Sequence, residues 1–264
     1  MTALPAGEPI TARVQRGLME RLLAHQLSAQ LAHLTAIGAL AAVLWDQVPH
    51  RALMMWAAAV VGTTLARAGL TDWAQRRAPE FSQLCLSMRI VMALLGLAWG
   101  LGAAELAPHV HQADAVLLLA VLATLAAGAA STLIADPVAL GVYSICLLVP
   151  LGGEMMLTAP DRLYVMAGAL VLPFIAFTIL TSREAYRDLR ARLHTAAVLE
   201  EALANVRTLS GLLPICASCK KIRDDGGYWS QIEEYVRDHS NADFSHSICP
   251  DCARRLYGAL ATDP

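Results

Sequence analysis

Six long apolar runs occupy the first 181 residues of the chain and limit what it can fold into. They lie at residues 27–45, 52–70, 86–106, 113–135, 138–157 and 162–181. A helix needs about 20 apolar residues to cross a bilayer core, where its backbone groups must pair internally. The runs are continuous rather than alternating and rich in Ala, Leu and Gly, which favours helices over barrel strands. The sequence therefore predicts six transmembrane helices.

The alternatives to six membrane spans fit this pattern less well. A soluble bundle would need polar faces toward water, and runs of this length with short connectors leave too few. A cleaved signal peptide is disfavoured because 26 residues precede the first run and no small-residue cleavage pattern follows it. Apolar residues make up 56% of the chain and charged residues 16%, against about 45–50% and about 25% in soluble domains. An ordinary cytosolic enzyme is therefore excluded.

Arginine placement predicts the orientation of the spans. One side of the runs carries Arg13, Arg16, Arg21, Arg67, Arg76, Arg77 and Arg89, and a basic tail follows the last run. The opposite connectors carry Arg51 and Arg162. Because basic residues near span ends stay cytoplasmic, both chain termini are predicted to be cytoplasmic. Residues 1–26 are predicted to form an amphipathic helix along the inner membrane surface, with Val14 and Leu18 on its apolar face.

Ionisable residues in or near the spans are candidate sensing residues, because burying charge in lipid is costly. They are His33, Glu105, His109, His111 and Glu154. The glutamates and the His-x-His pair are expected toward the outer face, where imidazoles could hold a metal or sense protons. The simpler interpretation is interface residues in contact with water, and both stay open. Arg89 is expected to reach the inner surface along its aliphatic stem, and Gly96, Gly100 and Gly102 to permit close helix packing.

Residues 182–213 form a charged linker that continues from the last run. Its apolar positions are spaced by three, four or seven residues, at Ala196, Leu199, Leu203, Val206 and Leu213. This spacing is typical of a coiled-coil seam and predicts a parallel homodimer that carries a movement of the membrane helices into the cytoplasm. The alternative is a solvated helix that packs back on its own chain, because a seam of about three heptads is marginal alone.

Four of the six cysteines form two Cys-x-x-Cys pairs in the C-terminal tail, Cys216 with Cys219 and Cys249 with Cys252. The pairs are separated by 29 residues, a spacing typical of a tetrahedral four-thiolate zinc site. A cytoplasmic location disfavours disulfides, so such thiols hold a metal or do redox work. An iron–sulfur cluster uses the same ligands and stays open. His246 is a candidate to replace one sulfur or to pack beside the site.

The tail itself, residues 214–264, is too short to build a large core, and domains below about 70 residues commonly need metal or disulfide support. One helix with a buried apolar face is predicted over GYWSQIEEYVRDH. The predicted core residues are Tyr228, Trp229, Ile232, Tyr235 and Val236, closed over by Phe244, Ile248, Leu256 and Tyr257. The predicted fold is therefore an all-α membrane protein with six transmembrane helices, a helical coiled-coil linker and a small α+β zinc-binding C-terminal module.

Two segments resemble known families. The stretch LSGLLPICASCKKIRDDGGYWSQIEEYVRDHSNADFSHSICPDCARRLY, residues 209–257, is similar to a small cysteine-rich C-terminal module that follows sensor or receiver domains in many bacterial signalling proteins. The apolar part, with RLLAHQL, LWDQVPHRAL and LAWGLGAAEL, looks like the six-span sensor region ahead of diguanylate cyclase or histidine kinase domains. These resemblances imply signalling at a bacterial inner (cell) membrane. Because no cyclase or kinase sequence follows the spans, neither activity is expected.

The sequence thus predicts a bacterial inner-membrane sensor or signalling adaptor. Its linker would relay a membrane or periplasmic stimulus to a cytoplasmic structural-zinc module that binds a partner protein. No paired acid and base stands out in the sequence and the net charge is −2, so neither an enzyme nor a nucleic-acid partner is expected. The alternatives are a membrane redox protein, with an iron–sulfur cluster or redox-active thiols, and an ion or proton transporter-like module that uses Glu105 and Glu154.

Overall fold

The computed structural model describes residues 9–24, 26–77, 79–158, 161–207, 214–224, 227–239 and 244–258. The chain divides into two compact units, Met1–Ala197 and Val198–Pro264. Most of the first unit is helical. Its helices are α1 Ile10–Leu23, α2 Gln26–Leu44, α3 His50–Arg77, α4 Phe81–Leu106, α5 Gln112–Thr132, α6 Pro137–Leu157, α7 Arg162–Ala169 and α8 Val171–Arg207, which runs on into the second unit.

Six helical segments among the described residues are long and apolar enough to cross a membrane. They are Ile10–Leu44, His50–Arg77, Phe81–His109, Gln112–Thr132, Pro137–Leu157 and Arg162–Leu203. The prediction of six apolar helices is confirmed, and these segments indicate a multi-pass membrane protein. The helices extend beyond the apolar runs, because α3 continues to Arg77 and α4 already begins at Phe81.

The sixth segment contains a break that its apolar run does not reveal. Helix α7 ends at Ala169 and α8 begins at Val171. Pro173 explains the position of the break, because proline has no N–H to donate to the carbonyl four residues earlier, that of Ala169. Beyond the break α8 is continuous to Arg207, so the second half of the last apolar run and linker residues 182–207 share one helix. Linker residues 208–213 lie outside the described part of the chain.

The most extensive helix contact in the first unit joins α4 and α6, and glycine makes it possible. A Cβ atom on Gly96 would lie 2.8 Å from the Cβ of Cys146, and one on Gly100 would collide with the carbonyl oxygen of Cys146. Pro150 leaves this carbonyl without its usual partner within the helix. The close packing expected at these glycines is confirmed.

Arg89, expected to reach the inner surface, forms an ion pair at the start of α6. Its Nε and Nη2 atoms donate to the carboxylate of Asp136, with the closest contact 2.9 Å from Nε to Oδ2. Asp136 is the N-cap of α6, and its Oδ1 accepts from the N–H groups of Val138 and Ala139, both at 3.2 Å. The Arg89 side chain is 39% exposed, so its expected reach to the inner surface stays a prediction, and the buried carboxylate of Asp136 is an additional partner for its guanidinium.

Helix α1, predicted as an amphipathic helix, is present, but its apolar face packs on protein. Val14, Leu18 and Leu22 are buried in the core of the first unit. A Cβ atom on Gly17 would lie 2.8 Å from the Cδ2 of Leu193 in α8. The first part of the predicted linker therefore packs against its own chain, as the alternative to the coiled coil proposed. Further along α8, Leu199 and Leu203 are exposed in the single chain.

The second unit contains a short hairpin and two short helices. Strand β1 Ile222–Arg223 pairs antiparallel with β2 Trp229–Ser230, with Ile222 opposite Ser230. Helices α9 Ile232–His239 and α10 Pro250–Tyr257 follow. The second unit thus combines a small two-stranded sheet with short helices, as the α+β prediction expects.

The predicted core of the tail was wrong in two respects. Trp229 lies in a strand rather than in the helix, which begins only at Ile232. The N–H of Tyr228 donates to the Asp224 carboxylate at 2.8 Å, directly before this strand. In addition, most of the aromatic and aliphatic side chains expected inside are exposed, with Tyr228 at 78%, whereas Tyr235 and Val236 are half-buried. Among the described tail residues, Ile222 is the fully buried hydrophobic side chain.

Candidate functional site

A cluster of polar and aromatic side chains lies inside the helix bundle, away from its surface. The indole Nε1 of Trp99 in α4 donates to Nδ1 of His33 in α2 at 3.0 Å. The ring of Tyr143 in α6 meets the His33 ring edge-on, with centroids 6.1 Å apart. Trp56 in α3 packs edge-on against Trp99, with centroids 5.5 Å apart. Four helices therefore contribute to one buried cluster.

The bond from Trp99 determines which nitrogen of His33 carries the proton. Indole Nε1 is a donor and has no acceptor capacity, so Nδ1 of His33 must accept. A neutral imidazole in this arrangement carries its hydrogen on Nε2. His33 therefore offers a further N–H donor to the interior of the bundle rather than an acceptor.

Arg67 in α3 belongs to the same cluster and is its charged member. It is 1% exposed, and its charge interacts electrostatically with His33 and Tyr143. Its Nε and Nη2 atoms have no hydrogen-bond partner in the described part of the chain. The hydroxyl of Tyr143, which is fully buried, is likewise without a partner there. The described part of the bundle thus holds a buried positive charge whose Nε and Nη2 atoms are not hydrogen-bonded.

The sequence identified one member of this cluster and missed the others. His33 was named as a candidate, whereas Arg67 was assigned to the basic side of a connector. A signal for its burial is nevertheless present in α3. Its buried residues recur every three or four positions, at Leu53, Trp56, Val60, Thr64, Arg67, Thr71 and Ala74. Arg67 lies at a regular position on this inward face. The three- and four-residue spacing of α3 therefore predicts that Arg67 is buried.

The other candidate sensing residues are not brought together as a metal site. Glu105, His109 and His111 are exposed, and Glu154 is half-buried. Among the described residues no group of three or more His, Cys, Asp or Glu side chains is placed to hold a metal ion. The N–H of His111 donates to the side chain of Gln47 at 3.3 Å, which links two loops. Their interpretation as water-exposed residues fits these positions.

The first cysteine pair lies in a tight turn of the second unit. The N–H of Lys220 donates to the carbonyl of Cys216 at 3.0 Å, and the N–H of Cys216 donates to the carbonyl of Lys221 at 2.9 Å. Lys220 adopts a left-handed backbone with φ of 62°, which closes the turn after Cys219. Backbone hydrogen bonds from Cys219 and then Ser218 lower the pKa of the Cys216 thiol. The turn therefore favours a thiolate.

The second pair lies at the start of α10. Cys249 is the residue before the helix, and its carbonyl accepts from the N–H of Ala253 at 2.9 Å. The backbone N–H of Cys252, followed by its side chain, lowers the pKa of the Cys249 thiol. Free N–H groups at a helix start stabilise negative charge on sulfur. In each pair, backbone N–H groups therefore stabilise the thiolate form of one cysteine. A thiolate is the form that binds a soft metal.

The structure does not bring the two cysteine pairs together as one metal site among the described residues. Each pair has one exposed thiol, Cys219 or Cys249, and one that is partly buried, Cys216 or Cys252. His246 is exposed in the segment before α10. Zinc and iron at these thiols remain predictions from the sequence.

Comparison with protein-family models, with curated proteins and with solved structures finds no match for this chain.

Proposed function

We propose that this protein is a membrane-bound sensor or signalling adaptor of a bacterial inner membrane, with both termini in the cytoplasm. The helix bundle receives a membrane or periplasmic stimulus, and the cysteine-bearing module passes it to a cytoplasmic partner protein. One observation carries this proposal: α8 runs unbroken from Val171, within the last apolar segment, to Arg207 in the second unit. A continuous helix transmits a rotation or shift along its length, whereas a flexible linker would absorb it.

The receiving element of the bundle is its buried polar cluster. Buried polar groups in a membrane bundle are costly to maintain and mark functional sites. The cluster of His33, Arg67, Trp99 and Tyr143 joins four helices, α2, α3, α4 and α6, so a ligand or protonation event there would act on all four. This supports a sensing role for the bundle over a purely anchoring one.

In the module, Cys216, Cys219, Cys249 and Cys252 would hold a structural zinc ion as four thiolates. Such a closed coordination shell leaves no position for a substrate water, so the metal would stabilise the fold rather than catalyse a reaction. The small core of this unit, in which Ile222 is the fully buried hydrophobic residue among those described, supports the need for a metal. The exposed apolar side chains of the module are available to a partner protein.

Dimerisation through the linker is part of this proposal. Leu199 and Leu203 lie one turn apart on α8, and both are at least half exposed in the single chain. Two copies of this short seam would cover each other in a parallel pair. Cysteine cross-linking at exposed Glu200, compared with exposed Arg192 earlier on α8, would measure whether the helices pair there.

Copurification from cells tests the adaptor role. We expect the full-length chain to retain a stoichiometric cytoplasmic partner, and Cys249→Ser to lose it because the module loses its metal. Cys146→Ser, which changes a free thiol within α6, is the matched control and should keep the partner. Equal recovery with Cys249→Ser would contradict the proposal. A coloured purified protein with an iron–sulfur absorption band would instead support the redox alternative.

A further inference from the structure

The strongest unexplained feature of the bundle is the buried edge of Arg67 formed by Nε and Nη2. Arg67 is 1% exposed, and both atoms lack a hydrogen-bond partner among the residues that the structure describes. None of the ion pairs in that part of the chain includes Arg67. An isolated guanidinium in a dry interior is strongly unfavourable, so an acceptor is expected at this edge.

The neighbours of Arg67 do not supply this acceptor. His33 accepts through Nδ1 from Trp99, which leaves its Nε2–H as a donor. The oxygen of the buried Tyr143 hydroxyl can accept a hydrogen bond, but among the described residues it makes none with Arg67, and its hydrogen is also unused. The cluster therefore surrounds a positive charge with further donors. Such a combination recognises an anion rather than a cation or a neutral apolar molecule.

The same chain shows what the Nε and Nη2 edge of an arginine holds. Arg89 uses these two atoms to bind the carboxylate of Asp136, at 2.9 Å from Nε to Oδ2 and 3.1 Å from Nη2 to Oδ1. The two parallel bonds match the flat geometry of a carboxylate. Arg67 presents the equivalent edge inside the bundle without a carboxylate from the described residues.

We propose that Arg67 is the anchor of a binding site for a small carboxylate inside the bundle. The carboxylate accepts two bonds from Nε and Nη2 of Arg67, and Tyr143 and His33 are the additional donors of the site. This inference concerns binding alone and does not depend on the proposed signalling function. It assigns a ligand class to a cluster that spans four helices.

Arginine side-chain NMR with sodium formate as the probe tests this site directly. The full-length chain, labelled with ¹⁵N-arginine, is placed in nanodiscs of zwitterionic lipid and titrated with formate. The Nε–H signal of Arg67, assigned by its loss in Arg67→Gln, is expected to shift and saturate. The signals of Arg76, exposed and paired with Asp72, and of Arg89, paired with Asp136, are internal controls and should stay in place.

Substitutions at Arg67 distinguish the contribution of the guanidinium geometry to formate binding from that of the positive charge. Arg67→Lys keeps the charge but loses the second parallel bond, and should weaken formate binding by about tenfold. Tyr143→Phe removes one further donor and should weaken it by a smaller factor. Arg76→Lys is the matched control and should leave the titration unchanged. Circular dichroism of each variant verifies that the helices are retained.

Three results would overturn the inference. One is a wild-type Arg67 signal that formate does not move. Another is formate binding of equal strength in Arg67→Lys and wild type. The third is a shift that requires anionic phosphatidylglycerol in the nanodisc and is absent with formate, which would assign the site to a lipid phosphate instead. A saturable shift with formate in zwitterionic nanodiscs supports the carboxylate.

Discussion

The indole N–H of Trp99 donates to Nδ1 of His33 across 3.0 Å, and both side chains are buried. This bond connects α2 to α4 inside the apolar bundle. Because the imidazole nitrogen cannot turn to water, its partner determines both the ring orientation and the tautomer. The bond is therefore the structural basis of the buried polar cluster.

Removing this donor should destabilise the bundle. Trp99→Phe keeps an aromatic ring but leaves Nδ1 of His33 buried without a partner, which costs about 1–3 kcal/mol. Thermal unfolding in detergent should show a melting temperature lower by about 2–4 °C for each kcal/mol in a protein of this size. Trp73→Phe, at a 43% exposed position, is the control and should change the melting temperature little. An equal effect of the two substitutions would show that the bond does not matter.

Arg67→Met should raise the stability of the bundle when no carboxylate is present. The substitution replaces an unpaired buried charge by an apolar side chain of similar length, and such changes are stabilising by about 1–4 kcal/mol. The same thermal unfolding measurement, in buffer free of organic acids, gives the sign of the effect. A lower melting temperature would mean that Arg67 already has an anionic partner within the chain.

The pair of Arg89 and Asp136 should respond unequally to loss of either member. Arg89→Gln leaves the carboxylate of Asp136, 2% exposed, without its cation and should cost about 2–3 kcal/mol. Asp136→Asn keeps an N-cap for α6 and leaves an arginine side chain that is 39% exposed and can be hydrated. Its cost should be about 1 kcal/mol. Chemical unfolding of the two variants measures which substitution lowers the free energy of unfolding more. A larger loss in Asp136→Asn than in Arg89→Gln would contradict this prediction.

Metal removal should affect the cysteine-bearing module and spare the bundle. Treatment with a strong chelator, or the Cys249→Ser substitution, should make residues 214–258 susceptible to protease because a small metal-supported unit unfolds without its ion. Metal analysis should find one zinc per chain before treatment. Helical circular dichroism from the bundle should be retained. A module equally resistant to protease after metal removal would exclude a structural metal.

Much of the bundle could be predicted from hydrophobicity because the membrane imposes one dominant rule. Apolar runs of sufficient length must become helices, and six did. The ends of the helices could not be predicted equally well, since residues such as Arg76 and Arg77 in α3 extend the helix with polar sequence. The break before α8 depends on one residue, Pro173. Its effect is not visible in the mean hydropathy of the apolar run.

Side-chain partners were the least predictable part of the structure. The ion pair of Arg89 with Asp136 could not be predicted, because Asp136 approaches only after α4 and α6 pack together. In the tail, strand β2 begins at Trp229, inside a segment whose apolar spacing predicts a single helix. Tertiary contacts decided both of these cases. The inward position of Arg67, in contrast, follows from the three- and four-residue spacing of the buried residues in α3.

The central claim, that a change in the bundle reaches the cysteine-bearing module through α8, can be measured by hydrogen–deuterium exchange of residues 214–258. Gly100→Ala perturbs the bundle, because its Cβ would collide with the Cys146 carbonyl, whereas a Cβ on Gly128 would meet no described atom within 4 Å. Glu200→Pro interrupts α8, and Glu200→Ala is its control.

We predict that Gly100→Ala changes amide exchange in the module and that Gly128→Ala does not. The effect of Gly100→Ala should persist when combined with Glu200→Ala and disappear when combined with Glu200→Pro. Exchange in the module that is unaffected by Gly100→Ala, or affected equally with α8 interrupted, would contradict signal transmission through this helix.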